Sequence, residues 1–166
     1  DLKRLGYRKL FNMAGGYTRW KNEGLPVEVP PRFDPLARER YSRHLMMPEV
    51  GEAGQLKLIA SKVILVGAGG LGSPAAMYLA AAGVGTLGII DHDVVDRSNL
   101  QRQILHTDAR VGTSKVASAR QTLEALNPAV KVTPFDVGLS SKYAEEILQG
   151  FDVVVDGSDN FPSRYL

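Results

Sequence analysis

The chain has 166 residues, enough for one hydrophobic core, and its charges nearly cancel at a formal net charge of +2. So small a net charge excludes a strongly basic surface for nucleic acid or acidic lipid, and no apolar stretch is long enough to span a bilayer. The lack of cysteine excludes disulfides, a thiolate zinc site and a cysteine nucleophile within these residues. The lack of cysteine does not identify the compartment. We expect a cytoplasmic protein because no signal directs the chain elsewhere, and we expect it to bind neither nucleic acid nor a membrane.

The first part of the chain, residues 1–27, predicts a small α/β unit. We expect a strand over residues 9–13 and a helix over residues 17–22, which Gly24 ends because glycine is common just past a helix. Three aromatic side chains of this unit are predicted to form a small core: Phe11, Tyr17 and Trp20.

A proline-rich segment separates this unit from the rest of the chain. Residues 26–35 hold four of the nine prolines, and that density favours an extended, semi-rigid spacer. We place a linker at residues 28–35 and a second domain at residues 36–166. Because the chain begins with Asp1 and its last residues resemble the start of a helix, we expect it to be an internal piece of a longer protein.

The second domain opens with helical patterns at residues 36–46 and 56–59 and then alternates between strand and helix. The alternating elements are predicted as strand 62–66, helix 71–82, strand 86–90, helix 113–126, strand 130–135, helix 140–149 and strand 152–155. Strands separated by helices of this length pair in parallel. The pattern predicts a doubly wound, Rossmann-like α/β fold, with a mainly parallel sheet and helices on both faces.

A glycine-rich turn, Lys62-Val-Ile-Leu-Val-Gly67-Ala-Gly69-Gly70-Leu-Gly72, joins the first strand of this domain to its helix. Glycines stand where a nucleotide-binding turn must bend sharply and approach a phosphate, and the helix directs its positive dipole end there. Asp91 follows Gly72 by nineteen residues and closes the next strand, where a ribose would be bound. The alternatives are a tight turn without ligand and an aspartate bonded to its own backbone.

Polar residues after three strands are expected to meet at one crevice, because ligands of such sheets bind at the carboxyl ends of the strands. Arg102 and Lys115 supply cations, and Asp159 supplies a carboxylate for Mg²⁺. A triphosphate that loses pyrophosphate needs this combination. Lys115 stands in the first turn of its helix, where its charge opposes the dipole, so a bound anion would explain its position. Arg102 or Lys115 alone could equally be a solvated surface charge.

Two other functions remain open at this point. An NAD(P)-dependent oxidoreductase would use the glycine turn and Asp91, but it would leave Arg102, Lys115 and Asp159 without a role. A non-catalytic partner subunit would keep only the fold. Asp93 is expected to be structural, and the histidines His44, His92 and His106 show no metal-ligand spacing, so we expect them to be hydrogen-bonded structural residues.

Six motifs of the chain closely match one enzyme family. They are Arg40-Tyr-Ser-Arg43-His, Gly67-Ala-Gly-Gly-Leu-Gly72-Ser-Pro, Asp91-His-Asp93, Ser98-Asn-Leu-Gln-Arg102-Gln103, Val111-Gly-Thr-Ser-Lys115 and Asp159-Asn160-Phe. Residues 36–166 thereby resemble the adenylating domain shared by molybdopterin-synthase adenylyltransferase, the thiamine sulfur-carrier adenylyltransferase and ubiquitin-activating enzymes. The resemblance implies an ATP-dependent enzyme that converts the C-terminal glycine carboxylate of a ubiquitin-like sulfur carrier into an acyl-adenylate and releases pyrophosphate.

The resemblance also assigns roles to residues. The nucleotide would be bound by Gly67, Gly69, Gly70, Gly72, Asp91, Ser98, Asn99, Leu100, Gln101, Arg102, Lys115, Asp159 and Asn160. Asp159 would hold Mg²⁺, and Arg43 would reach the phosphates of the neighbouring protomer in a homodimer, so that Arg43, Arg102, Lys115 and Asp159 would be the catalytic residues. The partner would be a carrier ending in Gly-Gly. The family's zinc cysteines are absent here, so zinc is expected only beyond Leu166.

Residues 1–24 resemble the C-terminal end of a rhodanese domain through Asn12-Met-Ala-Gly15-Gly16, Trp20 and Gly24-Leu-Pro26-Val. A rhodanese carries sulfur as a cysteine persulfide, so the resemblance implies a domain that delivers sulfur to the activated carboxylate. The motifs leave open whether the carrier serves molybdopterin, thiamine or tRNA thiolation. They also leave open the related RNA-modifying dehydratases, which adenylate a small carboxylate.

Overall fold

The computed structural model of the chain describes residue 2 and residues 4–26, 33–139 and 141–158. By its internal contacts the chain divides into two compact units, Asp1–Arg32 and Phe33–Leu166. Most of the predicted linker, and the predicted site residues Asp159 and Asn160, lie outside the described residues.

The first unit contains the helix α1 (Gly16–Asn22), close to the predicted helix. The predicted strand over residues 9–13 is wrong, because these residues have no regular structure. The predicted aromatic core is also wrong: Phe11 is 95% exposed, Tyr17 60% and Trp20 36%. A unit of so few residues cannot surround three aromatic rings, since chains below about 40 residues rarely bury a core of their own.

The second unit begins with three helices and continues as alternating strands and helices. Its elements are α2 (Pro35–Arg40), α3 (Ser42–Leu45), α4 (Gly51–Ala60), β1 (Lys62–Val66), α5 (Gly72–Ala82), β2 (Thr86–Ile90), α6 (Lys115–Leu126), β3 (Lys131–Phe135), α7 (Ser141–Leu148) and β4 (Val153–Asp156). The helix predicted over residues 36–46 is broken at Tyr41, whose buried side chain is only 4% exposed. The helix predicted near residues 56–59 begins earlier, at Gly51.

The described strands form one parallel sheet in the order β3-β2-β1-β4. Val63 of β1 pairs with Leu87 of β2 and with Val153 of β4. Runs of valine, isoleucine and leucine form the strands because a parallel sheet is covered on both faces. On one face, Leu65 and Leu87 pack with residues of α5 and α6.

The other face of the sheet packs against α7 and the chain that follows it, through Ile64, Val66 and Ile90. Helices therefore cover both faces, and the predicted doubly wound α/β fold is confirmed. The chain leaves β1 towards β2 on one side, while β4 lies on the other side of β1. Ligands of such sheets bind where the strand order reverses in this way. Among the described helices, none has the length and apolar character needed to cross a bilayer.

Candidate functional site

A crevice of about 550 Å³ opens at the carboxyl ends of β1, β2 and β4. Six of the residues proposed from the sequence line it: Gly67, Gly69, Gly70, Asp91, Arg102 and Lys115. The other proposed residues that the structure describes lie outside this lining: Arg43, Gly72, Ser98, Asn99, Leu100 and Gln101. The crevice thus combines a glycine turn, an acid and two cations from segments that are far apart in the sequence.

The glycine turn has a backbone shape that depends on two of its glycines. Gly67 has φ +95°, a left-handed conformation that L side chains rarely adopt. A Cβ on Gly72 would collide with the carbonyl oxygen of Gly67, so the first turn of α5 can lie against β1 only without a side chain there. Gly72 is therefore buried and does not line the crevice. Its role is to let the backbone of the turn pack closely against the Gly67 carbonyl.

The carboxylate of Asp91 supports the turn as well as facing the crevice. Its Oδ2 accepts a hydrogen bond from the N–H of Ala68 at 2.8 Å, and its Oδ1 accepts one from the N–H of Asp93 at 2.9 Å. Asp91 is thus hydrogen-bonded to backbone N–H groups, which was one of the alternatives that the sequence left open. Each oxygen of an ionised carboxylate has two lone pairs, so Asp91 keeps one acceptor site on each oxygen for a ligand.

Lys115 lies at the start of α6 and is nearly enclosed, with its side chain 6% exposed. Its Nζ donates a hydrogen bond to Oδ2 of Asp93 at 2.8 Å. That hydrogen bond lowers the pKa of Asp93, so the acid stays ionised as the counter-charge of the lysine. Asp93 thus supplies a negative charge beside Lys115 within the protein, and the expectation that Lys115 also binds an anion stays a prediction.

Arg102 extends over the glycine turn from the loop between β2 and α6. A Cβ on Gly70 would lie 3.4 Å from Cγ and Cδ of Arg102, so the absence of a side chain gives the arginine room. Its Nη2 donates to Oδ1 of Asn99 at 3.1 Å, which orients the guanidinium. Asn99 thus contributes through Arg102, while the Ser98 hydroxyl donates to Asp96 at 2.6 Å and holds the loop.

The three histidines differ in their surroundings. His44 lies 2.7 Å from Oε1 of Gln55, and buried His106 has partners on both ring nitrogens, so two of them are hydrogen-bonded as predicted. His92 lines the crevice with 69% of its side chain exposed. Ligand atoms of Asp91, His92 and Asp93 lie within 4.8 Å of one another, but the Asp93 carboxylate is already paired with the Lys115 cation. This group is therefore a poor fit for a metal ion.

Gln103 is among the crevice residues that the sequence did not predict as part of the site. It is 5% exposed, and among the described residues no hydrogen bond is made by its buried Oε1. Buried polar atoms nearly always have a partner, so an unsatisfied amide oxygen beside the crevice favours a role in ligand binding. Its position directly after Arg102 was the available signal, but only the fold shows that its side chain turns inward.

The parallel sheet, the glycine turn at its switch point and the polar crevice define a Rossmann-like domain of the nucleotide-binding kind. Within that class the chain belongs to the ThiF family, which it matches over residues 41–166.

Individual relatives agree with this assignment. The chain is 54% identical to the SAMP-activating enzyme E1 of Haloferax volcanii over 134 residues, which are 81% of this chain and 50% of that protein. It is 50% identical to the adenylyltransferase and sulfurtransferase MOCS3 of Mus musculus over 163 residues, 93% of this chain and 35% of the relative. The chain therefore spans half or less of the length of these curated relatives.

A solved structure shares the fold. The Escherichia coli tRNA N6-threonylcarbamoyladenosine dehydratase TcdA, crystallised in complex with ATP, matches with a TM-score of 0.73 and 28% identity, covering 80% of this chain and 55% of that one. ThiF-type proteins of this architecture thus include one whose structure contains ATP.

Proposed function

We propose that the chain binds Mg·ATP in the crevice and that its full-length protein adenylates the C-terminal carboxylate of a ubiquitin-like sulfur carrier ending in Gly-Gly. The observation that carries the proposal is the convergence of Arg102 and Lys115 on the glycine turn of a ThiF-family domain. A bridging diphosphate of NAD needs no such pair of cations, whereas a departing pyrophosphate does. The Haloferax relative is named an activating enzyme E1 and the mouse relative an adenylyltransferase and sulfurtransferase, and these names support activation by adenylation coupled to sulfur transfer.

The chemistry requires positioning more than proton transfer. A carboxylate oxygen of the carrier attacks the α-phosphorus of ATP, the bond from that phosphorus to the bridging oxygen breaks, and pyrophosphate leaves with the electron pair. A carboxylic acid is already ionised at neutral pH, so no general base is required. Arg102 and Lys115 would stabilise the charge that grows on the phosphates, in agreement with a crevice built from glycines and cations.

We assign the Mg²⁺ to Asp159, a residue outside the described part of the chain. It follows Ser158, which lines the crevice at the end of β4. The acids on the other side of the crevice are a poorer choice because Lys115 already neutralises Asp93. When bound, Mg²⁺ would neutralise phosphate oxygens. Ser98, Asn99, Leu100, Gln101 and Asn160 are kept as nucleotide-site residues on the strength of the family motif alone.

The same proposal includes a homodimer in which Arg43 acts on the nucleotide of the partner protomer. Arg43 is exposed on α3 and does not line the crevice of its own chain, which is compatible with such a role. We also propose that residues 1–27 end a rhodanese-like domain and that the pathway is a sulfur transfer of the molybdenum-cofactor, thiamine or thiolation type.

The decisive experiment is ATP–pyrophosphate exchange by the full-length protein with a purified Gly-Gly carrier. We expect exchange that requires both Mg²⁺ and the carrier, and no exchange with the same carrier lacking its terminal glycine. Calorimetry should show tighter binding of Mg·ATP than of NAD. Tighter binding of NAD would overturn the proposal, and exchange supported by a small carboxylate but not by any carrier would favour the dehydratase branch.

A further inference from the structure

The peptide groups on both sides of Ala68 are held in place by hydrogen bonds. The N–H of Ala68 donates to Asp91, and the Ala68 carbonyl oxygen lies 3.0 Å from Nε2 of His106 and 3.2 Å from the hydroxyl of Ser73. His106 is 5% exposed and Ala68 1% exposed. The middle of the glycine turn is thus fixed from the inside of the protein, by a histidine that follows it by 38 residues.

The hydrogen-bond pattern assigns the tautomer of His106. A carbonyl oxygen can only accept, so Nε2 must carry the hydrogen that is donated to Ala68. The other ring nitrogen, Nδ1, lies 2.9 Å from Oγ of Ser118 and accepts from that hydroxyl when the ring is neutral. One imidazole therefore links the glycine turn to α6.

The surroundings favour the neutral ring. Burial is the largest cause and lowers the pKa of His106, and the charges of Lys115 and Arg110 lower this pKa further. The hydrogen bond to the Ala68 carbonyl and the charge of Asp91 raise this pKa. Arg110 also donates to the Ser118 hydroxyl at 3.3 Å, which brings a cation close to the far side of the ring. At neutral pH the ring therefore donates through Nε2 and carries no charge.

The orientation of the Ala68 carbonyl determines that of the next N–H group. In a planar trans peptide, C=O and N–H point in opposite directions. Because the Ala68 carbonyl points inward to His106, the N–H of Gly69 points outward, and Gly69 lines the crevice. Within the described part of the chain, no group accepts a hydrogen bond from this N–H. It is therefore a donor available to a ligand.

We propose that His106 is a positioning residue that holds the Ala68–Gly69 peptide so that the Gly69 N–H donates to a phosphate oxygen of the bound nucleotide. The inference rests on the proposed function, because the ligand must carry phosphate. His106 itself contacts no reacting atom: it acts by preventing the peptide from turning its carbonyl oxygen, rather than its N–H, towards the phosphates.

Two substitutions separate positioning from a general structural role. In His106→Gln the amide nitrogen can replace Nε2, whereas in His106→Asn the shorter side chain places its nitrogen near Nδ1 and leaves the Ala68 carbonyl with only the longer hydrogen bond from Ser73. In the full-length protein we expect His106→Gln to bind ATP within about twofold of the unsubstituted protein. His106→Asn should bind it about tenfold more weakly, the value of one hydrogen bond to a charged group.

The control ligand is adenosine, which lacks phosphates. Its affinity, measured by displacement of a fluorescent nucleotide, should be the same in both variants, whereas a merely structural defect would weaken ATP and adenosine together. Ser118→Ala provides a milder third variant, because the ring stays in place and loses only the hydroxyl that selects its tautomer. We expect it to lower ATP affinity less than His106→Asn does.

A direct readout is the amide resonance of Gly69 in protein labelled with ¹⁵N-glycine. Adding Mg·ATP should move the proton resonance downfield in the unsubstituted protein and in His106→Gln, but not in His106→Asn. The same Gly69 shift in all three proteins, or equal ATP affinities for the Gln and Asn variants, would overturn this inference alone. Failure of the unsubstituted protein to bind ATP would instead contradict the proposed function.

Discussion

Individual side chains of the crevice are arranged before any ligand is bound. Lys115 is held by Asp93, and Arg102 by Asn99, so neither cation must be ordered when a nucleotide arrives. The Asp93 carboxylate also competes with phosphate for Lys115. A nucleotide must therefore share Lys115 with Asp93 or displace Asp93 from it. Lys115 stabilises the nucleotide most when the charge on the phosphates is greatest. Interactions that strengthen in the transition state affect turnover more than ground-state binding.

We expect Lys115→Ala and Arg102→Ala to lower carrier-dependent ATP–pyrophosphate exchange by about 10²–10³, the usual loss for a donor to developing charge. Asp159→Ala should have a similar effect because it removes the proposed Mg²⁺ ligand. The matched control is His92→Ala, which removes an exposed side chain of the same crevice and should change the rate little. Near-normal exchange by folded Asp159→Ala, judged by circular dichroism, would refute that assignment.

The Lys115–Asp93 pair also predicts a pH dependence of stability. The hydrogen bond from Lys115 lowers the pKa of Asp93 below its ordinary value of 3.8. The unfolded state therefore takes up the proton first, and the contribution of Asp93 to stability is present above pH 3.8 and is lost as the pH falls through the folded-state pKa. Thermal unfolding should show a deficit for Asp93→Asn at neutral pH that narrows below pH 3.8. A deficit that grows on acidification would contradict this assignment.

The short helix α3 is held by partly and fully buried polar contacts. Two residues close to Arg43 in the sequence fix its ends. The Tyr41 hydroxyl accepts a hydrogen bond from Nδ2 of Asn127 at 2.9 Å, and Nδ1 of His44 is hydrogen-bonded to Oε1 of Gln55. Asn127 also donates to the Ala80 carbonyl, so the short helix is tied to the C-terminal ends of α5 and α6. These contacts lie on either side of the break at Tyr41 in the predicted single helix.

We expect Asn127→Ala to lower the free energy of unfolding by about 1–3 kcal/mol, because it leaves the buried Tyr41 hydroxyl without its donor and the Ala80 carbonyl with only the backbone N–H of Gly83. Urea unfolding would measure this loss. The control is Arg120→Ala in α6, the helix that ends just before Asn127. It removes a surface ion pair with Glu124 and should change the free energy of unfolding by less than about 1 kcal/mol. Equal effects of the two substitutions would show that the buried network does not stabilise the fold.

The proposed homodimer would contain two complete sites, and each site would combine residues from both protomers. Arg43 lies on an anchored helix at the surface and outside its own crevice, so a second copy is required if it is to act on phosphate. Dimers with a two-fold axis offer the same surface of each chain to the other, which makes two equivalent shared sites.

This arrangement predicts complementation between two inactive variants. When full-length Arg43→Ala and Lys115→Ala proteins are mixed and allowed to exchange subunits, each mixed dimer should contain one site with both residues intact. Random exchange should then restore about one quarter of the normal pyrophosphate exchange, since about half the dimers are mixed and half their sites are complete. No recovery despite proven subunit exchange, or full activity of a monomer, would contradict the shared site.

Much of the crevice could be predicted from the sequence alone. The run from Lys62 to Gly72 and the acid at Asp91 belong to local patterns: strand periodicity, glycines at a forced bend, and an acid that closes the next strand. Such features depend on a few consecutive residues, and the strands β1 and β2 have the bounds that the sequence predicts. The doubly wound fold follows from the same alternation because parallel strands require helical connections.

Only the tertiary structure decided which polar groups meet. The partners of three hydrogen bonds are far apart in the sequence. The separation is 22 residues for Lys115 with Asp93, 38 residues for His106 with Ala68, and 86 residues for Tyr41 with Asn127. Hydrophobic periodicity determines which face of an element is buried, but it does not specify the register in which helices pack on a sheet, and that register selects hydrogen-bond partners. The first unit shows the converse: its aromatic residues suggested a core, yet burial requires surrounding chain that residues 4–26 do not supply.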